Sequence, residues 1–177
     1  MSVEREDETG HPGIVLRPAG ETVSPHVLGR VEMVLISPEA TRVPTAVAQA
    51  TVVAGRGLVG DRYYSGVGTW SDYPVQTGID LTLVEAEVLE KLGLSPAQAR
   101  RNLVTRGVRL GELVGARFRV GTVECRGERP CHPCRHLESM TRPGIKAAMR
   151  GRGGLRADVV VGGQVRPGDL TELLLRT

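Results

Sequence analysis

The sequence predicts a mainly β protein in which mixed strands, joined by a few short helices, build a closed or partly closed barrel. Three observations favour this class. About eight or nine short apolar segments are separated by turns, and 23 of the 177 residues are glycine. Helical features are confined to two or three short segments. They do not alternate with the strands as in nucleotide-binding folds.

The first half of the chain is predicted to form three strands around one long loop. Residues 1–28 are rich in Glu, Gly and Pro and are predicted to be a mobile tail, so the single domain spans 29–177. Alternating apolar residues predict a strand over 29–37, and a second strand is predicted over 47–54. The third, over 79–84, follows the loop.

The long loop opens with GRGLVG at 55–60, where three glycines allow the backbone to approach a ligand closely. It lacks the Gly-Lys-Ser/Thr ending of a phosphate loop. Four of the five aromatic residues follow, namely Tyr63, Tyr64, Trp70 and Tyr73. They favour either a stacking surface for a flat heterocycle or a small core that holds the loop in place.

The second half is predicted to consist of short helices followed by strands and glycine turns. Gly93 ends the first helix, and Ser95 with Pro96 caps the second. In chain order, the predicted elements are a helix at 85–92, a helix from 95 to about 101, strands at 103–106, 114–120 and 122–126, a helix at 143–150, and strands at 155–161 and 170–175.

The stretch RPCHPCRHL at 129–137 holds two of the three cysteines and two of the four histidines. Arginines at 129 and 135 flank Cys131 and Cys134 and would stabilise a thiolate, the reactive form of cysteine. The stretch therefore predicts a reactive thiol in a positive setting. The alternative is a strained loop in which both cysteines act as small buried hydrophobes.

Positive charge is concentrated in one part of the chain. Between residues 100 and 156, thirteen arginines and one lysine accompany only four acidic residues, all glutamate, up to residue 156. The planar guanidinium suits bidentate contact with phosphate and other oxyanions, which favours an anionic small molecule as ligand. A solvated basic face is the alternative. Charge without an aromatic–basic pattern does not predict a nucleic-acid partner.

The composition also indicates a compartment. Three cysteines are too few for a disulfide scaffold and favour a reducing environment. No apolar run approaches the roughly 18 residues of a membrane span, and the acidic start of the chain lacks the features of a secretory signal. We therefore expect a cytoplasmic protein without a membrane partner.

Several motifs together resemble the MOSC domain, the module named for the C-terminal part of molybdenum-cofactor sulfurases. The resemblance covers about residues 29–174. In chain order, the matching features are GLVGDR at 57–62, LTLV at 81–84 with Glu87 and Leu89, RNL at 101–103 leading to Gly107, residues 115–121, Pro133-Cys134 with Leu137, residues 151–157, and the pairs Gly162-Gly163 and Gly168-Asp169.

The resemblance implies a barrel of mixed strands and one cysteine that handles sulfur or contacts molybdenum. The family cysteine follows a proline and precedes a leucine by three residues, which matches Cys134 rather than Cys131. Cys131 stays open as the alternative thiol. The implied cofactor is the molybdenum cofactor, molybdopterin. An anionic pterin is thus the expected ligand.

Candidate roles follow from this resemblance. Cys134 is the expected nucleophile, or a thiolate ligand to the metal, with Cys131 as the alternative and His136 or His132 moving a proton. The residues expected to hold the cofactor are Asp61, Arg62, Arg101, Asn102 and Arg156. Sulfurtransferase and component of a molybdenum-dependent oxidoreductase remain open as activities.

Two protein partners are also expected, and one alternative function remains open. Lys91 and Lys146 are the only lysines, and neither lies in a convincing Schiff-base site, so pyridoxal phosphate is expected on a partner such as a cysteine desulfurase. A molybdoenzyme is the other expected partner. The alternative function is a small zinc or dithiol binding domain, because Cys125, the Cys-x-x-Cys pair and two histidines offer S and N ligands.

Overall fold

The computed structural model of the chain describes residues 15–16, 22–68, 71–72 and 77–176. Its strands are β1 (Val15–Leu16), β2 (Thr22–Ile36), β3 (Thr45–Val47), β4 (Ala50–Val53), β5 (Gly57–Leu58), β6 (Leu81–Glu85), β7 (Leu103–Arg106), β8 (Arg117–Val120), β9 (Val123–Pro130), β10 (Leu155–Val161), β11 (Gly163–Val165) and β12 (Leu170–Arg176). Its helices are α1 (Ala86–Leu92), α2 (Pro96–Ala99), α3 (Arg135–Ser139) and α4 (Ile145–Ala148), with a 3₁₀ turn at Leu110–Leu113.

Seven of these strands form a closed ring in the order β2-β12-β8-β9-β10-β6-β7, and β7 pairs back with β2. The pairings are antiparallel except for β6 with β7, which run parallel. Parallel neighbours need a crossover connection, and here the crossover carries α1 and α2. The prediction of a mainly β fold with a barrel of mixed strands is confirmed.

Side-chain alternation along the strands fills the barrel. In β8, Phe118 and Val120 are buried while Arg117 and Arg119 are half-buried on the other face. Phe118 packs in the interior cluster with Leu83, Leu103 and other aliphatic side chains. Burying apolar surface contributes roughly 25 cal/mol per Å², so this interior drives closure of the ring.

A second apolar cluster covers one outer face of the barrel. Val84 and Val104 lie on β6 and β7, and they pack with Leu137 of α3 and with Ile145 and Met149 of the α4 segment. Strands that are covered on both faces consist mainly of apolar residues. This explains why LTLV in β6 has a single polar residue, Thr82. This cluster holds α3, and with it Cys134, against the wall of the barrel.

Several predicted boundaries were wrong. The first strand starts at Thr22 instead of residue 29, because this polar segment pairs with β12 over residues 23–30. Pairing between distant strands here outweighs local composition. Part of the segment predicted as a tail is therefore strand; the rest, 1–14 and 17–21, lies outside the described residues. The predicted strand 47–54 is divided into β3 and β4.

The second half differs in three places. The predicted strand 114–120 begins only at Arg117, because Gly115, with φ of 80°, forms a turn before it. The next strand continues to Pro130 because it pairs with β10. After β10 the chain leaves the barrel, and β11, a strand that the sequence did not predict, joins β4 and β5 in a separate small sheet.

Candidate functional site

The candidate site lies on the outer face of the barrel wall, where β6 and β7 begin. Leu81 and Leu83 face the interior, so Thr82 between them faces outward. The Thr82 hydroxyl donates a hydrogen bond of 2.8 Å to Oδ1 of Asn102, which precedes β7. Strand β10 flanks β6 on this wall, with Arg156 opposite Thr82. The loops around these strands supply the predicted site residues.

Cys134 is exposed at the start of α3. Its Sγ accepts a hydrogen bond of 3.5 Å from the Leu137 backbone N–H, and burial of Leu137 fixes the helix on the barrel. The sequence predicted no helix after the second cysteine. The signal that was missed is the spacing between Cys134 and Leu137. Cys134 caps the helix, and a residue three positions later lies on the helix face that packs against the barrel wall.

The three cysteines lie in different environments. Cys125 is fully buried inside the barrel; burial raises the pKa of its thiol, and the negative charges of Asp80 and Glu124 raise it further. Cys131 is also buried, at 1% exposure. Cys134 alone of the three is exposed. Access to solvent therefore favours Cys134 over Cys131 as the reactive thiol.

Arg100 is a site residue that the sequence analysis did not identify. It ends α2 with φ of 57°, the left-handed conformation that non-glycine residues seldom adopt. Its guanidinium donates hydrogen bonds to the backbone carbonyls of Ala40 and Arg42. No sequence pattern predicts these contacts, because their partners lie 58 and 60 residues earlier in the chain.

The electrostatic surroundings of Arg100 bring the other site residues together. Burial lowers the pKa of the Arg100 guanidinium, and the positive charges of Arg62 and Arg101 lower it further. The Cys134 thiolate acts in the opposite direction. Geometry supports the same grouping, because Arg101 donates to the carbonyl of Gly153, and a Cβ on Gly153 would lie 3.0 Å from Cδ of Pro133, the residue before Cys134. Three guanidinium groups and the exposed thiol therefore share one region.

Arg101 links the end of α2 to the segment around the cysteines. It is 9% exposed, and its Nε donates to the carbonyl of Gly153 at 3.1 Å, while Nη1 donates to the carbonyl of Ala99 at 3.2 Å. Next to Gly153, the carbonyl of Gly154 accepts a hydrogen bond of 2.8 Å from Cys131 N–H. The buried Cys131 thus anchors the loop, and Cys134 follows on the surface.

Arg62 enters the site from the glycine-rich loop. Its guanidinium lies over the ring of Tyr63, 5.0 Å from the centroid, a cation–π arrangement. Its Nε is buried without a hydrogen-bond partner. An orphaned buried donor of this kind calls for an acceptor, so Arg62 is suited to bind an anion.

Asp61 and Asn102 hydrogen-bond to the protein itself. Asp61 accepts from Ser37 N–H at 3.0 Å, from Tyr63 N–H at 3.1 Å and from the Asn102 side chain at 3.2 Å. These bonds tie the end of β2, the glycine-rich loop and the start of β7 together. They bring the chain neighbours of Asp61 and Asn102, namely Arg62 and Arg101, to the same edge of the barrel wall. The contact with cofactor predicted for Asp61 and Asn102 stays a prediction.

The remaining predicted residues lie on the same wall or on the surface nearby. Arg156 on β10 is half-buried; its Nη1 donates to the carbonyl of Gly78 at 3.4 Å, and its cross-strand neighbour is Arg129. No described contact joins Arg156 to Cys134. His132 and His136 are exposed, and the roles predicted for them stay predictions. Among the described residues, no group of three His, Cys, Asp or Glu side chains could hold a metal ion.

The aromatic residues of the long loop are only partly described. Arg56 lies over Tyr64 with 4.2 Å to the ring centroid, as Arg62 does over Tyr63. A cleft of about 290 Å³ opens beside both tyrosines and is also lined by Asp80 and Ile79. Trp70 and Tyr73 lie outside the described residues. Both interpretations, stacking surface and small core, stay predictions.

A closed mixed β-barrel with an exposed thiol among arginines on its outer wall is the arrangement that this chain presents. The family model of the MOSC domain matches residues 80–172, more than half of the chain. The chain belongs to the MOSC domain family. The matched region includes Arg100, Arg101 and Cys134, whereas Arg62 precedes it.

Solved structures share the fold at low sequence identity. The YuaD protein from Bacillus subtilis is 18% identical with a TM-score of 0.67, over 82% of this chain and 95% of that one. YiiM from Escherichia coli is 21% identical with a TM-score of 0.57, over 84% and 71%. YiiM from Geobacillus stearothermophilus is 16% identical with a TM-score of 0.56, over 85% and 75%. No curated protein sequence matches the chain.

Within the described part of the chain, none of the helices has the length and apolar character needed to cross a membrane.

Proposed function

We propose that this protein carries out molybdenum-cofactor-associated chemistry at Cys134, with the thiolate as a sulfur carrier. The observation that carries the proposal is the position of Cys134, the exposed one of three thiols, beside the positive charge of Arg100. Cations near a thiol favour the thiolate, which is the nucleophile. Membership of the MOSC family supports an association with the cofactor in general.

The residues present fit an anionic pterin cofactor. Arg62 has a buried Nε without a partner, and the mutual repulsion of Arg62, Arg100 and Arg101 is relieved when an anion binds among them. These arginines are therefore the groups that would hold its phosphate. When bound, the cofactor would supply a molybdenum centre that accepts sulfur or a thiolate.

Loading of the carrier needs only the thiol and a donor. The Cys134 thiolate attacks the outer sulfur of a persulfide, R–S–SH. A new S–S bond forms on Cys134, the donor's S–S bond breaks, and the electron pair leaves with the donor as R–S⁻. No separate oxidant is required. A cysteine desulfurase partner is a suitable source of such a persulfide.

The test is intact mass before and after incubation with cysteine persulfide. We expect a gain of one sulfur, about 32 Da, which Cys134→Ala abolishes because it removes the nucleophile. Cys131→Ala is the matched control and retains the gain, since Cys131 is buried. Loss with Cys131→Ala but not with Cys134→Ala would show that the other thiol is the carrier. A gain that survives both changes contradicts the carrier function.

Metal analysis separates the carrier from a thiolate ligand to molybdenum. Protein isolated from cells that make the cofactor is compared with the Cys134→Ala variant. If Cys134 ligates the metal, the variant loses bound molybdenum. If Cys134 only carries sulfur, the arginines still hold the cofactor, and the molybdenum content of the two proteins is the same.

A further inference from the structure

In the described part of the chain, no carboxylate pairs with the three guanidinium groups at the candidate site. Elsewhere on the barrel, arginines pair with carboxylates: Arg106 with Glu32 and Glu90, and Arg119 with Glu172. Among the described residues, Arg62, Arg100 and Arg101 form no ion pair. Asp61, the carboxylate that precedes Arg62, is buried and accepts from Ser37, Tyr63 and Asn102 instead. The site therefore has an excess of positive charge.

Two of these arginines have donors left for a ligand. Arg101 is 9% exposed and uses Nε and Nη1 within the protein, but its Nη2 has no partner among the described residues. The Arg62 side chain donates no hydrogen bond in that part of the chain either, and its Nε is buried. The hydrogen bonds of Arg100 go to backbone carbonyls, so it adds charge rather than donors.

We propose that this arginine cluster recognises the oxyanion end of a thiosulfate-type donor and directs its outer sulfur to Cys134. The inference rests on the proposed function, since it names the class of donor that the carrier accepts. An oxyanion with several equivalent oxygens matches the planar guanidinium donors better than the single charge of a persulfide does. The nearby exposed Cys134 supplies the nucleophile.

The reaction balances without any additional reagent. The Cys134 thiolate attacks the outer sulfur of thiosulfate, ⁻S–SO₃⁻. A new S–S bond forms, so that Cys134 becomes a persulfide anion, and the sulfur–sulfur bond of thiosulfate breaks. Its electron pair leaves on sulfite, SO₃²⁻. Negative charge grows on the departing sulfite in the transition state, where the guanidinium groups stabilise it.

The experiment compares two donors on the purified full-length protein. Thiosulfate carries an SO₃ oxyanion directly on its outer sulfur, whereas cysteine persulfide carries a sulfane sulfur without an SO₃ group. Loading is followed by the mass gain of about 32 Da, and with thiosulfate also by release of one sulfite per chain. We expect both donors to load Cys134, and added salt to slow the reaction with thiosulfate because the attraction is electrostatic.

The arginines are tested with Arg62→Gln, which removes a guanidinium that makes no described hydrogen bond. We expect its second-order rate constant for loading by thiosulfate to fall by about tenfold or more, a typical loss for a charged hydrogen bond, while the rate of loading from cysteine persulfide changes less than twofold. Arg62→Lys keeps the charge and retains part of the rate. Arg109→Gln, on an exposed arginine paired with Glu112, is the matched control and behaves like the original protein.

The outcomes separate the two proposals. Loading by cysteine persulfide with no loading by thiosulfate overturns the donor class and leaves the sulfur-carrier function standing. Equal loss of both donors in Arg62→Gln overturns recognition of the oxyanion, because a general effect on the thiol would slow both. Failure of both donors with the unmodified protein overturns the proposed function and this inference together.

Discussion

Asp80 illustrates how a single buried side chain sets a property of the whole chain. It is 7% exposed, and its Oδ2 accepts a hydrogen bond of 2.9 Å from Val159 N–H. Burial raises the pKa of its carboxyl above the ordinary value of 3.8, the Val159 N–H partly opposes this, and the charge of Asp158 adds to the rise. Burial is therefore the dominant effect.

The raised pKa of Asp80 makes folding sensitive to pH. The folded protein holds the proton more tightly than the unfolded chain, so its free energy of unfolding falls as pH rises from 3.8 through the raised pKa. We expect Asp80→Asn to lack this decline, because an amide does not ionise. Denaturant unfolding at several pH values from about 3.5 to 7 measures it. In Glu39→Gln, an exposed control, the decline should remain. A decline of equal size in Asp80→Asn contradicts the assignment.

At the residue scale, the sequence identifies some of the site and misses the rest. Both cysteines follow a proline, so Leu137, three residues after Cys134, is what distinguishes Cys134 from Cys131. The exposure of Cys134 and the burial of Cys131 agree with that choice. Arg62 and Arg101 are identified through motifs. Arg100 is not, because its guanidinium binds carbonyls 58 and 60 residues away in sequence, and single-sequence patterns do not encode such contacts.

The short helix α3 is the element that presents the thiol. A helix of five residues is too short to be stable alone, so its position depends on packing. Leu137 supplies this packing at 1% exposure, together with Ile145 and Met149 of the neighbouring segment. Patterns of 3.6-residue periodicity need longer segments to be recognised. The helix was missed for that reason.

Replacing Leu137 tests the anchoring of α3. We expect Leu137→Ala to lower the free energy of unfolding by about 2–5 kcal/mol, because it leaves a cavity in the outer apolar cluster. Met140→Ala, at the 41% exposed end of the same helix, should change it by about 0.5 kcal/mol or less. Equilibrium denaturation of both variants gives the comparison. Equal effects would mean that α3 is not held by the buried leucine.

On the scale of the whole molecule, closure of the ring brings β10 against β6 at a glycine. Gly154 has φ of 106°, and a Cβ at this position would lie 1.9 Å from the carbonyl oxygen of Leu83. Its own carbonyl accepts from Cys131 N–H. Barrel closure and the position of the cysteine loop therefore depend on the same residue.

Two glycine-to-alanine substitutions test whether the close approach of Gly154 to the Leu83 carbonyl limits stability. Gly154→Ala introduces both an unfavourable backbone and a clash with backbone atoms, so we expect it to cost more than about 3 kcal/mol or to prevent folding. Gly151→Ala also has positive φ, 75°, but meets nothing within 4 Å, and should cost about 1–2 kcal/mol. Thermal or denaturant unfolding compares them. Similar costs for the two variants would rule out the clash as the cause.

The barrel class itself was predictable, because alternating apolar residues and glycine turns recur along the chain and limit the possible architectures. Which strands pair with each other was not predictable from the sequence. Strand β12 pairs with β2, more than a hundred residues earlier in the chain, and also with β8. Strand β11 lies in a second sheet, outside the ring. Register and neighbours are decided by contacts that become visible only in three dimensions.

The positive charges around Cys134 come from positions 62, 100 and 101, far from it in sequence, and denaturation disperses them. Cys134 is open to solvent in either state, so its rate with a dianionic aromatic disulfide reagent depends mainly on whether those charges are assembled. Cys134 should therefore react faster in folded than in unfolded protein, whereas the buried Cys125 and Cys131 become reactive only on unfolding. The reaction rate of Cys134 is therefore a measure of whether the whole domain is folded.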